Sequence, residues 1–283
     1  MNDHLFTIDG IELCAESFGN PQHPTILLIM GAQSSMLWWE EEFCERLAVK
    51  GRHVIRYDNR DVGQSATYEL GNPGYTFEDM ADDAIRVLDR FGVGKAHIVG
   101  ISMGGMLTQI LALRHSARVR SVTLLATSNF APDLPPMEEK VMAYFSEATE
   151  IDWTDNDAVI AFNVGKWKVL AGSRHAFDEQ RIRNLAAAEV KRSRNIATMN
   201  NHGLVTGGES YLTRNEEIAA LSLVIHGTED PIIPYAHGVS LAGAIPGARL
   251  VTLEGTGHEL HPADWDTIIS EIIRHSEAVN QDE

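Results

Sequence analysis

Short apolar runs alternate with amphipathic stretches through most of the chain. Residues 25–30, Thr-Ile-Leu-Leu-Ile-Met, form a continuous apolar run, as expected for a strand buried on both faces of a parallel sheet. Runs at 52–57, 96–101, 119–126, 221–226 and 248–254 predict further strands. Residues 4–18 read as two strands joined by an Asp9-Gly10 turn, a hairpin signal. That makes eight. Between them the period changes to that of a helix. Trp38, Phe43, Leu47 and Ala48 mark one helical stretch. Met80, Ala84, Val87 and Leu88 share a face of another over 76–91, with Thr76 placed to cap it and Glu78 and Asp79 in its first turn. Others follow residue 102, follow Pro234, and run over 262–279. Strand–helix alternation of this kind predicts an α/β fold: a mostly parallel eight-stranded sheet with helices on both faces.

The alternation stops near Ser128. Pro132, Pro135 and Pro136 break it, and 137–213 shows only helical periodicity. We read 1–128 and 214–283 as the core and 129–213 as a helical lid (cap) insert. Such a lid would cover the carboxyl edge of the sheet, where sites in open α/β sheets lie.

The most informative stretch is His97-Ile-Val-Gly-Ile-Ser-Met-Gly-Gly105. It carries Gly-x-Ser-x-Gly with a strand before it and a helix after it, the setting of a nucleophile elbow. A serine on such a strained turn projects its Oγ from the sheet end. Strand and helix then pass so close that side chains at Gly100 and Gly104 would collide. The helix start behind Ser102 offers free N–H groups to a developing negative oxygen.

A serine nucleophile needs a base and an acid to orient the base. Two stretches beyond the insert fit. Gly227-Thr-Glu-Asp-Pro231 follows a predicted strand; Asp230, fixed by the bend at Pro231, is the expected acid and Glu229 its competitor. The other usual acid position, after the strand that follows the nucleophile helix, holds Thr127, Ser128 and Asn129. Gly255-Thr-Gly-His258 follows the last strand, and its glycines permit a tight loop carrying His258 as the base. His261 is its nearest rival but precedes Pro262 and is placed to cap a helix. Backbone N–H groups of Ala32 and Met103 are the expected oxyanion donors, the first from the small-residue loop after 25–30.

These motifs resemble the α/β-hydrolase superfamily over the whole chain, in its lidded, esterase-like branch. The Met-Gly-Ala-Gln stretch at 30–33 with Trp38, and Arg-Tyr-Asp-Asn-Arg-Asp-Val-Gly-Gln-Ser at 56–65, are similar to the aclacinomycin methylesterase group, which cleaves a methyl ester on an aromatic polyketide. The resemblance implies a triad of Ser102, Asp230 and His258 with oxyanion donors at Ala32 and Met103. The chain departs from the wider superfamily at two places: Met30 stands where a His is usual, and Asp61 where a Gly is usual. The function implied is a serine esterase acting on a small or medium carboxylic ester. Carbon–carbon bond hydrolysis or perhydrolysis by the same triad, and a non-catalytic binding protein, are the alternatives.

The 283 residues, 44% hydrophobic, suffice for one large core. A net charge of −17 argues against nucleic acid or an anionic membrane as partner. Two cysteines without metal-type spacing and an N-terminus without a signal-like apolar run point to a cytoplasmic protein needing no metal or cofactor. From the insert, Met137, Phe162 and Trp167 are expected to line the pocket together with Gly31 and Trp38. Lys166, Lys168, Arg174, Arg181, Arg183, Lys191, Arg192 and Arg194 make half of the insert basic. A solvated face, or a surface for a second copy in a homodimer, is the expectation, and an anionic-substrate site the alternative.

Overall fold

The computed structural model describes residues 4–279. β1 (His4–Ile8) and β2 (Ile11–Phe18) form the hairpin, with Asp9 and Gly10 at φ 52° and 79° in the turn. β3 (Thr25–Ile29) is buried throughout. A 3₁₀ turn at Met36–Trp38 and α1 (Glu41–Val49) lead to β4 (His53–Asp58). α2 (Phe77–Arg90) starts in a capping box: Asp79 N–H donates to Thr76 Oγ1 at 3.2 Å, and Thr76 N–H to Asp79 Oδ2 at 2.8 Å. β5 (Ala96–Ile101), α3 (Met103–Arg114) and β6 (Val119–Leu125) follow.

Between β6 and the next strand the long elements are helices: α4 (Glu139–Ser146), α5 (Asn156–Leu170), α6 (Glu179–Arg192) and the short α7 (Glu209–Leu212), with 3₁₀ turns between. β7 (Leu221–Gly227), α8 (Ala236–Ala244), β8 (Arg249–Leu253) and α9 (Trp265–Val279) complete the fold. His261 caps the 3₁₀ turn that precedes α9, its Nδ1 accepting from Ala263 N–H at 3.1 Å.

The eight strands form one sheet in the order β1-β2-β4-β3-β5-β6-β7-β8. β2 is antiparallel to both neighbours, and every pair from β4 to β8 is parallel. From β3 the chain moves to β4 on one side, and then crosses to β5 on the other. The loops after β3 and β5 therefore leave the same edge side by side, at the switch point where α/β sheets open a crevice. α2, α3 and α8 pack on one face through Met80, Val87, Leu107, Ile110 and Leu241. α1 and α9 cover the other through Phe43, Leu47, Ile268 and Ile272.

The elbow depends on two glycines. A Cβ on Gly100 would sit 2.1 Å from Gly104 O, and one on Gly104 would sit 2.1 Å from Ile29 O. Both obstacles are backbone, so no rotamer change relieves them.

The basic residues between β6 and β7 fall into two settings. Lys168, Arg174, Arg183, Lys191 and Arg194 are exposed, whereas Lys166 is buried and Arg181 and Arg192 turn inward onto acids. Arg192 Nη1 lies 2.5 Å from Asp58 Oδ2, Arg181 pairs with Glu40, Arg194 with Glu12, and Arg174 lies 3.8 Å from Asp264.

Candidate active site

Ser102 sits between β5 and α3 at φ 56°, ψ −123°. Its N–H donates to Leu125 O at 3.0 Å, and its carbonyl accepts from the N–H groups of Gly105 and Met106 and from Thr127 Oγ1. These bonds hold a backbone conformation that a side-chain-bearing residue rarely takes.

Asp230 is buried at the turn after β7. Its Oδ1 accepts from Ile232 and Ile233 N–H at 3.0 and 2.8 Å, and its Oδ2 faces His258 Nδ1 at 2.7 Å. Burial pushes its carboxyl up, but the adjacent His258 and His226 rings outweigh that and hold it well below the usual carboxylate range. Glu229 turns away, accepting from Ser173 N–H and Oγ. His258 comes from the loop after β8, where its N–H donates to Leu170 O at 2.8 Å. Gly257 makes that approach possible, since a Cβ there would meet Leu170 O at 2.2 Å.

Ser102 and His258 line one cavity of about 200 Å³. Among the described residues, no hydrogen bond joins the Ser102 hydroxyl to the ring, a gap common in ligand-free sites. The sheet side contributes Met30 to Ser34, Ile101 and Ile232. The segment between β6 and β7 contributes Phe145, Lys166, Trp167, Leu170, His202 and Gly203. Ala32, exposed, lies in the wall. Met103, 4% exposed, opens α3 directly behind Ser102. Among the described residues, neither amide donates to another protein group.

Of the residues expected in the pocket, Gly31 and Trp167 line the cavity; Trp38, Met137 and Phe162 do not. Trp38 is buried behind the wall, its ring 4.5 Å from that of Trp167. Phe162 stacks on Tyr144 at 5.3 Å, and Met137 is 38% exposed. Lys166, grouped above with surface charges, is buried in the wall. Its Nζ donates to Gln33 O at 3.2 Å, and burial, eased by Glu189, lowers its ammonium to about 8. His202 was missed. It lies in Thr-Met-Asn-Asn-His-Gly, which has neither periodicity nor motif to mark it.

The stretch at 58–61 is structural. Asp58 accepts from Met36 and Gln64 N–H, and Asn59 Nδ2 donates to Met30 O. Arg60 binds Asp83 through two nitrogens. Asp61 has φ 65°, which explains why glycine is usual there; its carboxylate accepts from Tyr68 N–H, Tyr75 Oη and Asn201 Nδ2.

A family model described as alpha/beta hydrolase fold matches residues 24–263, and the chain belongs to that family. It is similar to rhodomycin D methylesterase DauP of Streptomyces sp. (strain C5), at 30% identity over 98% of this chain and 99% of that protein. Rhodomycin D methylesterase DnrP of Streptomyces peucetius is 29% identical over the same shares. The crystal structure of the enol-lactonase from Burkholderia xenovorans LB400 superposes with a TM-score of 0.76 at 23% identity, covering 96% of this chain and 99% of that one. Among the described residues no helix is long and apolar enough to cross a membrane.

Proposed function

We propose that this chain is a serine carboxylesterase that hydrolyses a small or medium carboxylic ester through an acyl-enzyme, with methyl esters the first class to try. The observation that carries the reading is the strained serine facing a cavity it shares with a histidine whose Nδ1 is bound by a buried carboxylate. The full-length likeness to two methylesterases supports the leaving alcohol.

Asp230 holds the proton of His258 on Nδ1, which leaves Nε2 bare to accept. Ser102 Oγ attacks the ester carbonyl as its proton passes to Nε2. The carbonyl oxygen becomes an oxyanion held by the Ala32 and Met103 amides. His258 then protonates the departing alkoxide as the carbon–oxygen bond breaks. Water repeats the sequence on the acyl-serine and releases the acid. Residues 129–213 act as a cap on the core of 1–128 and 214–283, closing the far wall of the cavity.

A fluorophosphonate probe should label Ser102, and Ser102→Ala should lose turnover of p-nitrophenyl acetate by about 10⁶ in kcat. Retained turnover in that variant would refute the assignment.

A further inference from the structure

The loop after β3, which carries Ala32, makes few bonds of its own. Gln33 has φ 55°, a conformation that costs a side-chain-bearing residue and persists only when its surroundings impose it. Here the inserted segment imposes it. Gln33 N–H donates to His202 Nδ1 at 2.9 Å, Gln33 O accepts from Lys166 Nζ at 3.2 Å, and Gln33 Nε2 donates to Asn200 Oδ1 at 3.2 Å. Two residues on, Ser35 N–H donates to Glu189 Oε1 at 2.6 Å.

The protonation state of His202 follows from its partners. Its Nε2 lies 2.7 Å from Arg60 O, and a carbonyl only accepts, so Nε2 carries the hydrogen. Gln33 N–H only donates, so Nδ1 is bare. The ring is therefore neutral, and a proton on Nδ1 would face a backbone N–H. Burial lowers the His202 pKa. The Arg60 carbonyl and Asp61 oppose that shift, and Lys166 adds to it. Burial thus outweighs Asp61 and favours the neutral ring that the geometry requires. The Arg60 guanidinium is itself held on Asp83.

We propose that His202 is a positioning residue for the oxyanion loop: it holds Gln33 in the left-handed conformation and so aims the Ala32 N–H at the carbonyl reacting with Ser102. This rests on the esterase reading and on Ala32 as an oxyanion donor. The helical segment thereby sets the transition-state geometry besides walling the cavity. A donor displaced by an ångström loses about 10²-fold in rate, which is the scale expected.

Two substitutions separate the two hydrogen bonds of the ring. In His202→Asn the amide oxygen falls near the place of Nδ1 and can still accept from Gln33. In His202→Gln the amide nitrogen falls near the place of Nε2 and can still donate to Arg60, while Gln33 N–H loses its acceptor. Steady-state kinetics with p-nitrophenyl acetate and binding of a trifluoromethyl ketone, which forms a tetrahedral oxyanion adduct on serine, are measured on each. The expected result is a fall in kcat of about 100-fold for Gln and about fivefold for Asn, with KM within about threefold in both. The ketone should weaken in parallel with kcat. Equal kcat in the two variants, or a Gln variant that binds the ketone as tightly as the wild type, overturns the proposal and leaves the esterase reading standing. A wild type that neither turns over the ester nor binds the ketone overturns both.

Discussion

His258 Nδ1 lies 2.7 Å from Asp230 Oδ2, while Glu229, one residue away, points at Ser173. Two adjacent carboxylates thus face different ways, and only one can orient the imidazole. Asp230→Asn presents an amide that can stabilise the wrong ring tautomer, and kcat should fall by about 10⁴. Glu229→Gln removes a partner of an exposed turn and should leave kcat within about threefold. Ester turnover by the two purified variants checks this; a fall of 10³ or more in the Glu229 variant would reassign the acid.

How much of this was legible beforehand depends on the kind of constraint each residue obeys. The strands were legible because burial on both faces demands uninterrupted apolar runs, as in 25–30 and 119–126. Ser102, Asp230 and His258 stood out because each needs glycine or proline beside it to shape a tight loop, and such residues can be read without coordinates. The pocket wall was not legible in this way. Trp38 and Phe162 are as aromatic as Trp167, and only the packing of the segment between β6 and β7 decides which ring meets the cavity. The same holds for Arg181, Arg192 and Arg194, whose partners lie more than a hundred residues away. His202 had no local signature because its role is set by a loop 169 residues distant.

Asp61 tests whether a strained position is retained for its conformation or for its side chain. Asp61→Gly relieves the cost of φ 65° but deletes the acceptors for Tyr68 N–H, Tyr75 Oη and Asn201 Nδ2. Aspartate tolerates the left-handed region better than most residues, so relief is worth about 1 kcal/mol, whereas hydrogen bonds to a charged group contribute about 1.5–3 kcal/mol each. The loss dominates. Even at the lower end of that range the variant should be destabilised by about 3.5 kcal/mol, read as a lower urea midpoint, although glycine is the usual residue of the superfamily here. An unchanged or raised midpoint would show that the hydrogen bonds contribute little.

The pairing of Arg192 with Asp58 ties α6 to the end of β4. Both side chains are buried, at 9% and 0% exposure. Arg192→Met removes the cation and leaves the carboxylate among Met36 and Gln64 N–H alone, a loss of about 3–5 kcal/mol. Burial already raises the Asp58 pKa against the pull of Arg192, and the variant should raise it further. A raised folded-state pKa means that the charged form costs stability above it. The deficit relative to wild type should therefore shrink as pH falls and Asp58 protonates. Urea midpoints of both proteins at pH 7 and pH 5 check the sign. A deficit that grows toward acid would contradict it.

Lys166 gives a prediction of opposite direction on the pH scale. Its ammonium falls from the ordinary 10.5 to about 8 because burial disfavours the charge. Below pH 8 it is protonated in both the folded and the unfolded chain, so the folded state bears the full cost of the buried cation. Between about 8 and 10.5 the unfolded chain binds more proton, and stability rises with pH. Above 10.5 both forms are neutral and the gain is complete. The shift corresponds to about 3 kcal/mol. Lys166→Met keeps the stem volume and abolishes the titration. The wild-type midpoint should gain on that of the variant between pH 7.5 and 10, with the difference carrying the Lys166 contribution and other groups cancelling. A constant difference across that range would mean that the ammonium is solvated or paired well enough to titrate normally, and the cavity wall would then be less dry than its lining suggests.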